Sequence, residues 1–212
     1  MIEIIAKGGP VMYPIIAGSV LALAVFIERL WVLRQHRILP IDFFARVREL
    51  VESGRYSEAL AACDENDSSL SQIITTILKS RDKSRSEIIE ATEMTGKIEA
   101  SLLNRFVPLL GVIATLEPLL GLLGTVTGLI AAFHKIETEG IIGDPRIVAG
   151  GVWEALLTTA AGLTVAIPTF VAYRYIKSRA ERLVLQMEEL SFRLIETISA
   201  KKGGVEEPAD RQ

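Results

Sequence analysis

Two carboxylates and a few threonines interrupt what would otherwise be unbroken apolar chain. Glu154 stands directly before Ala155–Tyr173, a 19-residue run with no charged residue, and Thr158 and Thr159 follow it closely. Glu117 is the only charge between Phe106 and Phe133, and Thr125 lies about two turns beyond it. Carboxyl groups bind and release protons, and hydroxyls both donate and accept hydrogen bonds. Such groups are costly against lipid, so their place in apolar helices points to a polar pathway or to another protein. No Ser/His/Asp set and no paired metal-ligand spacing occurs, so a protein that is not an enzyme, with no metal and no cofactor, is expected. Gly121–Gly128 is rich in glycine, but no Gly-Lys-Ser/Thr follows, so it is neither a phosphate loop nor a dinucleotide fingerprint.

The elements carrying these residues must be long. Half of the 212 residues are hydrophobic, and three stretches hold most of them. Gly8–Ile27 has no charge, Phe106–Phe133 has only Glu117, and Ile147–Tyr173 has only Glu154. About 20 apolar residues at ~1.5 Å each cross the ~30 Å hydrocarbon core of a bilayer. Helices apolar all round could hide in a soluble core only if the domain were larger than this chain. The sequence therefore predicts an all-α integral membrane protein with transmembrane helices at 11–33, 106–133 and 150–173. Between and beyond them it predicts an N-terminus at 1–10, a helical region at 34–105, a loop at 134–149, a C-terminal helix at 174–200 and a disordered tail at 201–212.

Charge placement orients these spans. Lys7 is the only basic residue before the first span, whereas Arg29, Arg34 and Arg37 come at or after its end. Arg174, Lys177, Arg179 and Arg182 follow the third. The 134–149 loop sets Lys135 and Arg146 against Glu137, Glu139 and Asp144. The positive-inside rule then puts the N-terminus and that loop outside, in the periplasm, and 34–105 with the C-terminal helix in the cytoplasm. His36 and His134 fall on opposite sides and cannot share a metal. No cleavable signal peptide is expected. Cys63, the only cysteine, lies inside; it is either a small apolar residue on a helix or a reactive thiol.

The cytoplasmic region reads as short helices. Phe43, Phe44, Val47, Leu50 and Val51 recur at helical spacing, and Gly54 ends that run. Ser57 is placed to cap the next helix, with Leu60 and Ala61 facing inward. Asp64–Ser69 is a polar turn, and Leu70, Ile73, Ile74, Ile77 and Leu78 form a second stripe. Ser84 and Glu87 have the spacing of a capping box. No proline intervenes before Pro108, so that helix is expected to run straight into the second span. After the third span, Ile176, Ala180, Leu183, Met187, Leu190 and Leu194 alternate steps of four and three. This heptad seam suits packing on the chain's own helices or between subunits.

Within the second span, Glu117, Gly121, Gly124 and Gly128 share one helix face, and glycines there let another backbone approach. In the third, Glu154, Thr158, Ala161 and Val165 share a face flanked by Thr159 and Gly162. Together these faces could line a hydrated path between subunits around an axis.

Gly121-Leu-Leu-Gly-Thr125-Val-Thr-Gly128, preceded by Pro118, and Glu154-Ala-Leu-Leu-Thr-Thr159-Ala-Ala-Gly162-Leu, followed by Ala166-Ile-Pro168, resemble the two signature membrane segments of the MotA/TolQ/ExbB proton-channel family. The resemblance covers nearly the whole chain, and three spans fit the ExbB/TolQ branch. It implies an inner-membrane homopentamer around the helices of two ExbD/TolR-type chains, each with a membrane aspartate. Thr125 and Thr159 match the family's pore threonines, and Glu154 matches its acidic residue at the start of the third span; Thr158 lies beside them. Proton flow would energise a TonB- or TolA-type protein, for import across the outer membrane or envelope maintenance. No nucleic acid partner is implied. Sodium coupling and a non-conducting scaffold are the alternatives. Glu117 departs from the family's small neutral residue before the proline. It is either a cytoplasmic-side proton acceptor or a side chain that snorkels or pairs with a basic residue such as Arg105. Thr127 stands where the branch often has Trp.

Overall fold

The computed structural model describes residues 9–139 and 145–205, which are helical almost throughout and contain no strand. Eight helices are described: α1 (Met12–Val32), α2 (Gln35–Ile38), α3 (Ile41–Glu52), α4 (Tyr56–Asp64), α5 (Ser69–Lys79), α6 (Arg85–Asn104), α7 (Val107–Glu139) and α8 (Pro145–Val205). Three of them, α1, α7 and α8, are long and apolar enough to cross a membrane. The expected 134–149 loop is helical at both ends, since α7 continues to Glu139 and α8 begins at Pro145. α8 continues without a break through 174–200 to Val205. Residues 1–8, 140–144 and 206–212, where parts of the expected N-terminus, loop and tail fall, lie outside the described residues.

The chain forms two compact units. One comprises Met1–Leu30 with Phe106–Lys177, and the other Trp31–Arg105 with Ser178–Gln212. In the first unit, α1 turns Met12, Ile15, Ala22 and Val25 inward. It leaves Tyr13, Val20, Leu23 and Ile27 exposed, as α7 leaves Leu119, Leu122, Ile130 and Phe133 and α8 leaves Leu156, Ile167, Phe170 and Val171. An apolar surface on three adjacent helices exceeds the patches that soluble monomers show, and suits lipid or neighbouring apolar helices. Arg29, near the end of α1, is buried; it pairs with Glu28 and lies over the ring of Phe106 at 5.5 Å.

The second unit is built on the predicted stripe. Leu70, Ile73, Ile74, Ile77 and Leu78 of α5 are all 2% exposed or less. α3 ends in a Schellman motif: Gly54 N–H reaches the Val51 carbonyl at 3.0 Å and Arg55 N–H the Leu50 carbonyl at 2.9 Å, with Gly54 at φ +79°. The Ser84–Glu87 capping box forms at the start of α6, and Ser68 caps α5. On the heptad positions, Ala180, Leu183, Met187, Leu194 and Ile198 are buried within the single chain, so the seam packs on the chain's own residues. Arg179 Nε donates to the Leu33 carbonyl at 2.7 Å, and Lys201 Nζ to the Val51 carbonyl at 3.2 Å. Burial raises the pKa of the Cys63 thiol above its usual value, so the apolar reading holds.

Two local expectations fail. Ser57 is not a cap: α4 starts two residues earlier than that would require, with Arg55 as N-cap, and Ala59, Ala62 and Cys63 face inward in place of Leu60 and Ala61. The helix from Ser84 does not run into the second span either. It stops at Asn104, Arg105 is extended (φ −54°, ψ 135°), and Phe106 adopts φ +63° before α7 begins. Pro108 favours the break, since it cannot donate to the Asn104 carbonyl and its ring crowds that carbonyl; Pro118 and Pro168 show that a proline alone does not force one.

Candidate functional site

The site is built where α7 and α8 touch. Small residues of α7 meet small residues of α8 in a register that falls on one helix as it rises on the other, so the two run antiparallel. A Cβ on Gly121 would lie 3.0 Å from the Thr159 Cα and 3.2 Å from the Thr158 carbonyl oxygen. One on Gly128 would lie 3.3 Å from the Gly151 carbonyl, and one on Gly162 only 2.6 Å from the Glu117 carbonyl. The glycine stripe is therefore a contact surface for α8, as small residues in membrane helices commonly are. Pro118 and Pro168 both lie inside their helices.

The close approach fixes the threonines. Thr159 Oγ1 donates across the pair to the Gly121 carbonyl at 2.9 Å, and Thr159 keeps partial exposure. Thr125, one turn beyond Gly121 on α7, donates to its own helix at the Leu122 carbonyl over 2.6 Å and is also half-buried. A hydroxyl whose single hydrogen is held by a carbonyl still offers its oxygen lone pairs, so both threonines present acceptors. Thr158 differs. It is fully buried against Gly124, and its hydroxyl donates to the Glu154 carbonyl at 2.8 Å. Enclosed within one chain, it is not presented to a surface, unlike Thr125 and Thr159.

The two acidic residues sit at different depths. Glu154 is half-buried with its carboxylate against Gly9, leaving no room for a side chain there. Glu117 is 2% exposed, with its carboxyl against Gly18 of α1 and Oε2 without a hydrogen-bond partner. A side chain so enclosed does not snorkel. Sequence reasoning missed both glycine contacts, although Gly9 and Gly18 in or beside an apolar helix were a visible signal. It also missed the buried Arg29, which the charge pattern places only as a flanking residue.

A model of the MotA/TolQ/ExbB proton channel family matches residues 65–189. The chain belongs to that family. An ExbB homolog of Methanothermobacter thermautotrophicus is 32% identical over 189 residues, which covers 89% of this chain and 67% of the relative. An ExbB-like protein of Synechocystis is 34% identical over 179 residues, 81% of this chain and 68% of its own. TolQ of Pseudomonas aeruginosa is 39% identical over 88 residues, 42% and 36% of the two chains. With these relatives and three long apolar helices, the chain is a membrane protein of the ExbB/TolQ-like branch. The family is one of channels and transport proteins, not enzymes.

Proposed function

We propose that the chain is the channel-forming subunit of a proton-driven motor. In this reading, copies of it form a ring, pentameric as the family resemblance implies, around ExbD/TolR-like single-span partners in a bacterial inner membrane. The N-terminus lies outside and the 34–105 region in the cytoplasm. Proton flow works a TonB/TolA-like protein that spans the periplasm, supporting import across the outer membrane or envelope maintenance.

The observation that carries the reading is the pair of half-buried threonines with engaged hydrogens. Thr125 and Thr159 present oxygens that can accept from a protonated carboxyl on a partner helix. To stabilise the ionised form, each hydroxyl must release its carbonyl, so it can do this briefly but cannot trap the charge. A Lys or Arg there would hold the carboxylate ionised. Glu154 stands at the Gly9 end as the entry carboxyl. Each proton delivers about 2.3 kcal/mol per 100 mV, so several are needed per unit of substantial work.

The same acceptor geometry favours a second reading, sodium coupling, because hydroxyl oxygens also ligate Na⁺. The test is energised work in cells carrying this chain and its partner. A protonophore is expected to stop it at constant sodium, and Glu154→Ala to stop it while assembly persists. Work that follows the sodium gradient instead supports the second reading. Work unaffected by loss of the membrane potential contradicts both and leaves a scaffold.

A further inference from the structure

Glu117 is the one buried side chain among the described residues with an oxygen that has no hydrogen-bond partner. Its carboxyl lies between α7 and α1. A methyl group at Gly18 of α1 would overlap its Oε1, and Gly162 of α8 packs on its backbone carbonyl. Ile15 and Ala22, one turn to either side of Gly18, are buried apolar residues. Among the described residues its Oε2 meets no hydrogen-bond donor. A buried carboxylate with neither cation nor donor is among the costliest arrangements a protein can hold. A carboxylic acid with one proton is tolerated, because its O–H can turn to a nearby carbonyl. Glu117 is also placed to matter: it lies one turn from Gly121, whose carbonyl receives the Thr159 hydroxyl.

We propose that Glu117 is a proton-binding site inside each protomer, sealed against Gly18 of α1 and one turn from the Thr159–Gly121 contact. The inference deepens the proton-transport reading and rests on it. A proton adds to one carboxyl oxygen and later leaves that oxygen, with no electron transfer. Ionisation would leave the site unable to hold its charge, so proton release is coupled to a change in how α1 packs at Gly18.

Infrared spectroscopy of the full-length protein in lipid tests this directly. The expected spectrum at neutral pH has the carbonyl band of a protonated, weakly hydrogen-bonded carboxyl. That band should shift in D₂O, lose intensity as pH rises, and be absent in Glu117→Gln. Identical carboxyl regions in the wild type and Glu117→Gln would overturn the proposal. So would a band that neither shifts in D₂O nor responds to pH, which marks a permanently neutral structural acid. If Glu117→Gln fails to assemble, Gly18→Ala serves instead. It crowds the carboxyl and is expected to move the band, and an unmoved band overturns the assignment. A negative spectrum with protonophore-sensitive work intact removes this inference alone. Work insensitive to protonophore removes the transport reading, whatever the spectrum shows.

Discussion

Gly124 and Thr158 are packed so closely that no methyl group fits between them: a Cβ on Gly124 would lie 2.6 Å from the Thr158 Cβ. Thr158 is β-branched and stiff, so it cannot turn aside. Gly124→Ala is expected to destabilise the α7–α8 pair by about 1–3 kcal/mol, the usual cost of overpacking. Gly96 in α6 is the control, because a Cβ there meets nothing within 4 Å. Gly96→Ala should stabilise by about 0.5–1 kcal/mol through helix propensity. Thermal unfolding in detergent compares the two, and opposite signs are the expected result.

The capping box at the start of α6 predicts a pH dependence. The Ser84 hydroxyl and backbone N–H hold the Glu87 carboxyl below its ordinary range, the hydroxyl more strongly. A group with a depressed folded-state value stabilises the fold above its unfolded value, and that stability is lost as pH falls through the folded value. Ser84→Ala keeps the backbone N–H but not the hydroxyl, so it should shrink this acid-side loss as it removes the cap, and lower stability by about 1 kcal/mol at neutral pH. Unfolding followed from neutral to acidic pH in the wild type and the variant checks it. Parallel curves would show that the box carries no pH dependence.

Cys63 predicts a protected thiol. It is 3% exposed, burial raises its pKa, and its neighbour Ser71 donates to the Cys63 carbonyl at 2.8 Å, which fixes the surrounding turn. Since the thiolate is the reactive form, maleimide labelling of the folded protein should be slow at neutral pH and become rapid on unfolding. Fast labelling of the folded chain would mean that the second unit opens locally around α4 and α5.

Legibility in the sequence followed the strength of the local signal. The three spans were plain because a long uncharged stretch in so short a chain fits little besides a membrane crossing. The α5 stripe and the Ser84–Glu87 box were plain because spacing alone defines them. The break at Phe106 was missed although Pro108 announces it, since the proline's effect falls on residues before it. Ser57 was misplaced as a cap because cap chemistry is common, and a shift of two residues moves the cap to Arg55. At the candidate site, the glycine stripe and the threonines could be found, but not which threonine is enclosed. Thr158 and Thr159 are adjacent, and only the antiparallel contact with α7 separates a buried Thr158 from a half-buried Thr159. Glu117 could be put on the glycine face of the second span, but not its burial, because that comes from Gly18 of α1, about a hundred residues earlier in the chain.

The most direct measurement is proton flux into vesicles holding the purified complex with its single-span partner, under an imposed membrane potential. Wild-type protein is expected to conduct. Thr159→Ser, which keeps the hydroxyl that reaches the Gly121 carbonyl, should conduct nearly as well. Thr159→Val, which removes it at similar volume, should assemble and conduct at least tenfold less. Equal flux through Thr159→Val and wild type in assembled complexes would contradict the account.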